Sequence, residues 1–112
     1  MNIYKEIEKE RLRQDEMWGE QNHPCLNQAL MNRQQSCSSD DMCANYEIPS
    51  ETRARFLSRS SFKKGEGTFA HIALEEFAEV ISELDINKRR IELIQLTAVC
   101  VAWLESIDRQ IS

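Results

Sequence analysis

The sequence has little glycine and proline, with 3 and 2 residues respectively among 112. All-β sandwiches and barrels need many such residues at their turns, so this scarcity favours long helices and an all-α fold. Long apolar runs are lacking too, and no stretch approaches the ~20 apolar residues that cross a bilayer. We therefore expect no contact with the membrane interior. The length of 112 residues predicts a single domain spanning residues 1–112.

An excess of positive charge is also missing, because 19 acidic residues outnumber 14 lysines and arginines and give a net charge of −5. Binding a long nucleic acid requires excess positive charge to replace phosphate counterions, so we expect no such partner. A small phosphate ligand bridged by a metal ion remains compatible with this charge. The stretch 1–16 is too charged for a signal peptide, which favours a cytoplasmic location.

The 4 cysteines are expected to be reduced thiols in that compartment. A zinc site built from His23, Cys25, Cys37 and Cys43 is an alternative. Their spacing lacks the short paired C-x2–4-C element of strong zinc motifs, so we favour ordinary loop and core cysteines.

Apolar periodicity and capping residues predict a bundle of about four helices. The helices are expected over residues 2–18, 51–62, 69–84 and 88–109, with 25–49 as a loop or irregular insert that is helical in part. Asp85 or Asn87 can cap the last helix. The predicted core residues of the second and third helices are Phe56, Leu57, Ile72, Ala73, Phe77, Val80, Ile81 and Leu84.

The last predicted helix is apolar on nearly every face between residues 96 and 104. Such a helix is buried on all sides, so it is either the central helix of the bundle or part of an oligomer interface. Val99, Ala102 and Trp103 fit either position. We expect a homodimer or a higher homo-oligomer.

An acidic constellation lies on the two last predicted helices, which a short connector makes antiparallel neighbours. Glu79 and Glu92 are equally far from the middle of that connector and should face each other. Glu76 and Gln95 should face each other one turn further away. Three carboxylates and one amide would therefore converge as a square between the two helices.

Converging carboxylates repel one another, so either their pKa values rise or a cation lies between them. Oxygen ligands without His or Cys select Mg²⁺, Mn²⁺ or Ca²⁺. The alternative is that these residues are solvated surface charges, as we expect for Glu75 and Glu83. Glu92 fits that alternative less well, because it lies between Ile91 and Leu93 at the start of the most apolar helix.

The pattern Glu75-Glu76-x-x-Glu79, followed by Glu92-x-x-Gln95, resembles the EExxE…ExxD signature of MazG-type nucleoside triphosphate pyrophosphohydrolases in the all-α NTP pyrophosphatase superfamily. The stretch from Glu10 to Pro24, with its Gln-Asn-His-Pro end, resembles a small bacterial and phage MazG-like subgroup, as does the closing helix. Residues 25–62 carry no such resemblance.

The resemblance implies an enzyme that binds Mg²⁺, with Mn²⁺ as a substitute, and cleaves a nucleoside triphosphate into a monophosphate and pyrophosphate. By position, Glu76, Glu79, Glu92 and Gln95 would be metal ligands, with Glu79 or Glu76 orienting or deprotonating the attacking water. Gln95 replaces the family's aspartate, and an amide brings neither charge nor basicity.

Basic residues should meet the phosphates. Lys88 and Arg89, followed by Arg90, precede Glu92 by one turn, and Lys63 and Lys64 precede the third helix. The alternative for both clusters is a solvated helix end.

Trp18, Asn22 and His23 could bind the base by stacking and edge hydrogen bonds. Alternatively, Trp18 packs in the core while Asn22 and His23 cap the first helix.

Two other functions remain open at this point. Gln95 is compatible with a catalytically weak or inactive nucleotide-binding or sensing protein of the same fold. A helical protein-interaction module without a ligand is the third hypothesis.

Overall fold

The computed structural model describes residues 2–26 and 39–111. These residues form helices and connecting segments without a β-strand, which confirms the predicted all-α class. In chain order the helices are α1 (Ile3–Trp18), α2 (Ser39–Asn45), α3 (Glu51–Lys63), α4 (Phe69–Ser82) and α5 (Ile86–Ile111).

The helix starts follow local capping chemistry. Asn2 Oδ1 accepts a hydrogen bond from the Lys5 amide at 2.8 Å, and Ser50 Oγ accepts one from the Arg53 amide at 3.2 Å. Asp85 Oδ2 accepts from the Lys88 amide at 2.9 Å, so Asp85 is the predicted cap that the structure confirms. The four predicted helices are thus present, with ends shifted by one or two residues.

Two connectors set the geometry of the later helices. Between α3 and α4 the chain turns at Gly65, whose φ of 76° lies in the left-handed region that glycine adopts most easily. Between α4 and α5 only residues 83–85 intervene. Both connectors are short enough to make α4 a close neighbour of α3 on one side and of α5 on the other.

Part of the segment 25–49 is helical, as expected, because α2 occupies residues 39–45. Met42 and Cys43 of α2 are fully buried and pack with Ala78 and Ile81 of α4. The rest of that segment between residues 27 and 38, including Cys37, lies outside the described residues.

The central helix is α4, which packs against α2, α3 and α5. The alternative that the last helix occupies the centre is therefore wrong. Within the apolar stretch 96–104 of α5, Val101 is buried while Trp103 and Leu104 are exposed. The apolar side chains of α5 surround the whole helix, but among the described residues its main neighbours are α4 and α1.

Several predicted core residues are not in the core. Val80 and Ile81 are buried as predicted, and Ile72, Ala73 and Leu57 are half-buried. Phe56, Phe77 and Leu84 are exposed, by 59%, 39% and 44%. The small residues Ala54 and Ser58 are buried on the inner face of α3 instead, and α3 packs against α4.

The cysteines do not form the alternative zinc site within the described residues. Cys43 is a core residue whose Sγ lies 3.1 Å from Ser82 Oγ, whereas Cys25 and Cys100 are exposed. Among the helices described here, none has the length and apolar character needed to span a membrane.

Candidate metal centre

Three carboxylates meet where α4 faces the first turns of α5. One carboxylate oxygen from each of Glu76, Glu79 and Glu92 lies within 4.8 Å of the other two. Glu76 and Glu79 are three residues apart on α4 and therefore share a face. Glu92 comes from α5 across the short connector. The predicted pairing across this connector brings these three groups together.

Two oxygens of this triad are buried without a hydrogen-bond partner among the described residues. They are Glu76 Oε2 and Glu92 Oε2. A buried carboxylate oxygen without a partner loses its hydration and gains nothing in return, so such oxygens normally bind a donor or a cation. The triad thus combines crowded negative charge with unused ligand capacity.

The pKa values of the triad are displaced in the direction that crowding requires. Desolvation is the largest cause of the rise in the pKa of Glu79 to about 7, and the charges of Glu76 and Glu92 add to it. Burial also raises the pKa of Glu76, despite an opposing hydrogen bond with Glu79. Without a cation, Glu79 therefore holds a proton over part of the neutral pH range and can share it with its neighbours.

The three oxygens fit a hard divalent cation. Octahedral Mg²⁺ with bonds of about 2.1 Å places its ligands roughly 3–4.2 Å apart, and Ca²⁺ permits wider separations. The observed limit of 4.8 Å requires only a small inward movement of the side chains to reach the Mg²⁺ geometry. Three protein oxygens would leave three octahedral positions for water or phosphate oxygens.

A polar cleft of about 240 Å³ borders two of the three members of this triad. Glu79 and Glu92 line it, together with Glu51 of α3 and the connector residues that follow α4. A ligand in the cleft would therefore meet acidic side chains from three helices. These carboxylates repel an anion, and a metal ion bound to them would offset that repulsion.

Gln95 is exposed on α5, one turn after Glu92. Its predicted position next to Glu76 stays a prediction. The triad alone would supply three carboxylate ligands. Binding of a cation would therefore depend less on the Gln95 amide than the predicted four-residue square implies.

Arg55 is a site residue that the sequence patterns above do not identify. Its guanidinium binds Glu51 and also lies 3.7 Å from both Glu75 Oε1 and Glu79 Oε1. A signal was present in the sequence, since Arg55 and Glu75 are equally far from Gly65, as are Glu51 and Glu79. Pairing about this turn therefore indicates the contact of Arg55 with Glu75, but not its contact with Glu79.

The predicted phosphate-binding residues have different environments. Lys63, Lys64 and Lys88 are exposed. Arg89 is only 3% exposed, so the solvated alternative is wrong for this residue. Its Nε donates to the Glu83 carbonyl at 3.0 Å and ties the start of α5 to the connector, while its Nη2 is buried without a partner among the described residues.

The predicted base-binding residues lie at the end of α1. Trp18 is 68% exposed, so the alternative that it packs in the core is wrong. Asn22 Nδ2 donates to Glu20 Oε2 at 3.1 Å, and His23 is exposed. Gly19, not Asn22 or His23, caps the C-terminal end of α1. Base binding by these residues stays a prediction.

Comparisons of this chain with protein-family models, with curated proteins and with solved structures gave no match. The fold and the site define an all-α protein with a half-buried three-carboxylate cluster beside a polar cleft.

Proposed function

We propose that this protein is a Mg²⁺-dependent nucleoside triphosphate pyrophosphohydrolase, which converts an NTP or dNTP into a monophosphate and pyrophosphate. The observation that carries this proposal is the triad, with two buried carboxylate oxygens that have no partner among the described residues. The resemblance of the EExxE…ExxQ pattern to MazG-type enzymes supports the choice of substrate. Removal of unsuitable nucleotides from the cellular pool is the corresponding role.

The chemistry assigns a task to each side chain. Glu76, Glu79 and Glu92 would hold Mg²⁺ or Mn²⁺, which would offset the negative charge on the phosphate oxygens. Glu79 or Glu76, where the metal does not fully use its carboxylate, could orient or deprotonate the attacking water. Water would add to phosphorus as the anhydride bond between the α- and β-phosphates breaks, and pyrophosphate would leave.

A nucleotide-binding or sensing protein without turnover is the second candidate. The observation that favours it is Gln95, which is exposed and supplies no charge at the position of the family's aspartate. One ligand charge fewer would weaken metal binding and could leave water unactivated. A helical protein-interaction module is the third candidate, favoured by the exposed apolar residues of α1 and α5.

Pyrophosphate release and thermal unfolding separate these three functions. We expect a panel of NTPs and dNTPs with Mg²⁺ to include at least one that releases pyrophosphate. We also expect Mg²⁺ or Mn²⁺ alone to raise the unfolding midpoint, because a ligand that binds only the folded state stabilises it. Metal stabilisation without turnover would favour the sensing protein. No stabilisation by metal or nucleotide would leave only the interaction module.

We further propose that two copies associate through α1 and α5. Tyr4 of α1 and Ile94 of α5 are exposed by 70% and 54% and border one shared groove of about 440 Å³. The radius of gyration is 16.4 Å, against about 13 Å for a compact domain of this length. A second copy is the occupant that fits best, because an expanded chain that exposes large apolar side chains on both α1 and α5 buries them by pairing with itself.

Light scattering is expected to give the mass of a dimer for the unmodified protein. Ile94→Asp should give the monomer mass while retaining helical circular dichroism, since Ile94 is exposed within the single chain. A monomeric mass for the unmodified protein at micromolar concentration would contradict this proposal.

A further inference from the structure

Arg55 connects the acidic cleft to a second groove with the opposite charge. This groove has a volume of about 570 Å³ and follows the outer face of α3. Arg55, Arg59 and Lys63 line it at intervals of four residues, so their cationic groups share one face of the helix. Thr52 and Ser60 add hydroxyl groups to the lining, and Phe56 adds an aromatic ring. A ligand that extends from the triad towards this groove would pass Arg55 first.

The present partners of Arg55 hold it only in part. Its Nη2 hydrogen-bonds to Glu51 Oε1, but its contacts with Glu75 and Glu79 are ion pairs at 3.7 Å, too long for hydrogen bonds. The Arg55 side chain is one-third exposed. Partly exposed ion pairs of this kind contribute little stability, so another anion can replace them at small cost.

Arg55 and a metal ion would share a ligand. Glu79 faces Arg55 through Oε1 and belongs to the triad that would hold the ion. A divalent cation bound to Glu79 would lie close to the guanidinium and repel it. Phosphate oxygens relieve that repulsion, because they can bind the metal with one oxygen and accept two parallel hydrogen bonds from arginine with others.

We infer that Arg55 is a phosphate-binding residue of this site, which exchanges its carboxylate partners for phosphate oxygens when a metal-bound polyphosphate enters the cleft. The inference rests on the proposed function, because it requires the metal ion that the triad would hold. It specifies the ligand class as a chain of phosphates, since one phosphate at the metal would not extend to the basic groove. Orthophosphate should therefore bind much more weakly than inorganic tripolyphosphate.

The test measures two affinities by calorimetry, that of Mn²⁺ alone and that of tripolyphosphate for the Mn²⁺-loaded protein. For Arg55→Gln we expect Mn²⁺ to bind as tightly as before or more tightly, because a nearby positive charge is gone. Tripolyphosphate should bind roughly tenfold more weakly or worse, since a charge-assisted, bidentate contact is lost. If Arg55 had only a structural role, its loss would lower the affinities for Mn²⁺ and for tripolyphosphate together.

The matched control is Arg53→Gln on the same helix. The Arg53 guanidinium lies over the Phe56 ring, 5.5 Å from its centroid, and we expect both affinities to stay unchanged in this variant. Arg55→Lys keeps the charge without the planar fork and should bind tripolyphosphate with intermediate affinity. If Arg55→Gln does not fold, the Arg55→Lys variant decides the question. A tripolyphosphate affinity of Arg55→Lys equal to that of the unmodified protein would then overturn the inference.

The remaining outcomes are distinct. Unchanged tripolyphosphate affinity in Arg55→Gln would overturn the role of Arg55, as would an equal loss of both affinities. Failure of the unmodified protein to bind Mn²⁺ would instead refute the proposed function, and the inference with it.

Discussion

Glu79→Gln should release pyrophosphate at less than about one hundredth of the rate of the unmodified protein. Loss of this carboxylate removes a metal ligand and the group that could take a proton from water. Effects of this kind reach several kcal/mol, and each 1.4 kcal/mol corresponds to about a tenfold change in rate. Steady-state pyrophosphate release at saturating Mg²⁺ measures the change.

The same substitution should stabilise the metal-free fold above neutral pH. Glutamine has the shape of glutamate without its charge, so it relieves the repulsion from Glu76 and Glu92 that raises the pKa of Glu79. Its amide can also donate a hydrogen bond to a neighbouring carboxylate. An inactive variant that is more stable than the unmodified protein in the presence of EDTA is therefore the expected signature.

Glu16→Gln is the control, because Glu16 is exposed on α1 and outside the triad. We expect it to keep the activity of the unmodified protein. Activity retained by Glu79→Gln would contradict the catalytic role of Glu79, whereas a loss of helical structure in that variant would contradict the explanation by charge repulsion.

The free energy of unfolding of the metal-free protein should fall as the pH rises between about 4.5 and 7. The pKa of Glu79 is about 7 in the folded protein, against 4.5 as its ordinary value. Within that window the folded state binds a proton that the unfolded state has released. Stability therefore rises with acidity here, the reverse of the usual behaviour of a paired carboxylate.

The size of this effect follows from the pKa shift. The pKa of Glu79 differs by about 2.5 between the folded protein and its ordinary value. At about 1.4 kcal/mol for each pKa unit, the change in the free energy of unfolding is at most about 3 kcal/mol. The Glu79 side chain is only 20% exposed, so solvent screens this effect little. Urea unfolding at a series of pH values, with and without Mg²⁺, measures it. Mg²⁺ should reduce the dependence, because the ion favours the ionised triad.

The comparison with Glu79→Gln isolates the contribution of this residue. In this variant the free energy of unfolding should keep only the weaker pH dependence that comes from the raised pKa of Glu76. If the free energy of unfolding depends on pH in the same way in both proteins, Glu79 is ionised in the metal-free fold. That result would remove the evidence for crowding in the triad.

Local signals predicted the helices well because their causes are local. Ser50, Thr68 and Asp85 each accept a backbone hydrogen bond three residues later, and such caps are readable from the sequence. The short connector 83–85 leaves few ways to arrange its two helices, so the meeting of Glu79 with Glu92 was predictable too.

Burial was predicted less well. Phe56 and Phe77 were expected in the core and are exposed, while Ala54 and Ser58 are buried. Hydrophobicity identifies which side chains favour burial, but the distance between helix axes decides which ones fit. Where α3 approaches α4 closely, small side chains fill the interface and large ones remain outside.

The sequence alone determined the helical class, the capped helix starts and the acidic hairpin, because each depends on residues close together in the chain. Only the tertiary structure decided that α4 is the central helix and that Arg55 also contacts Glu79 of the triad. It also decided that Arg89 is buried at the connector. These features depend on which helix faces are in contact, and neither apolar periodicity nor capping residues specify that.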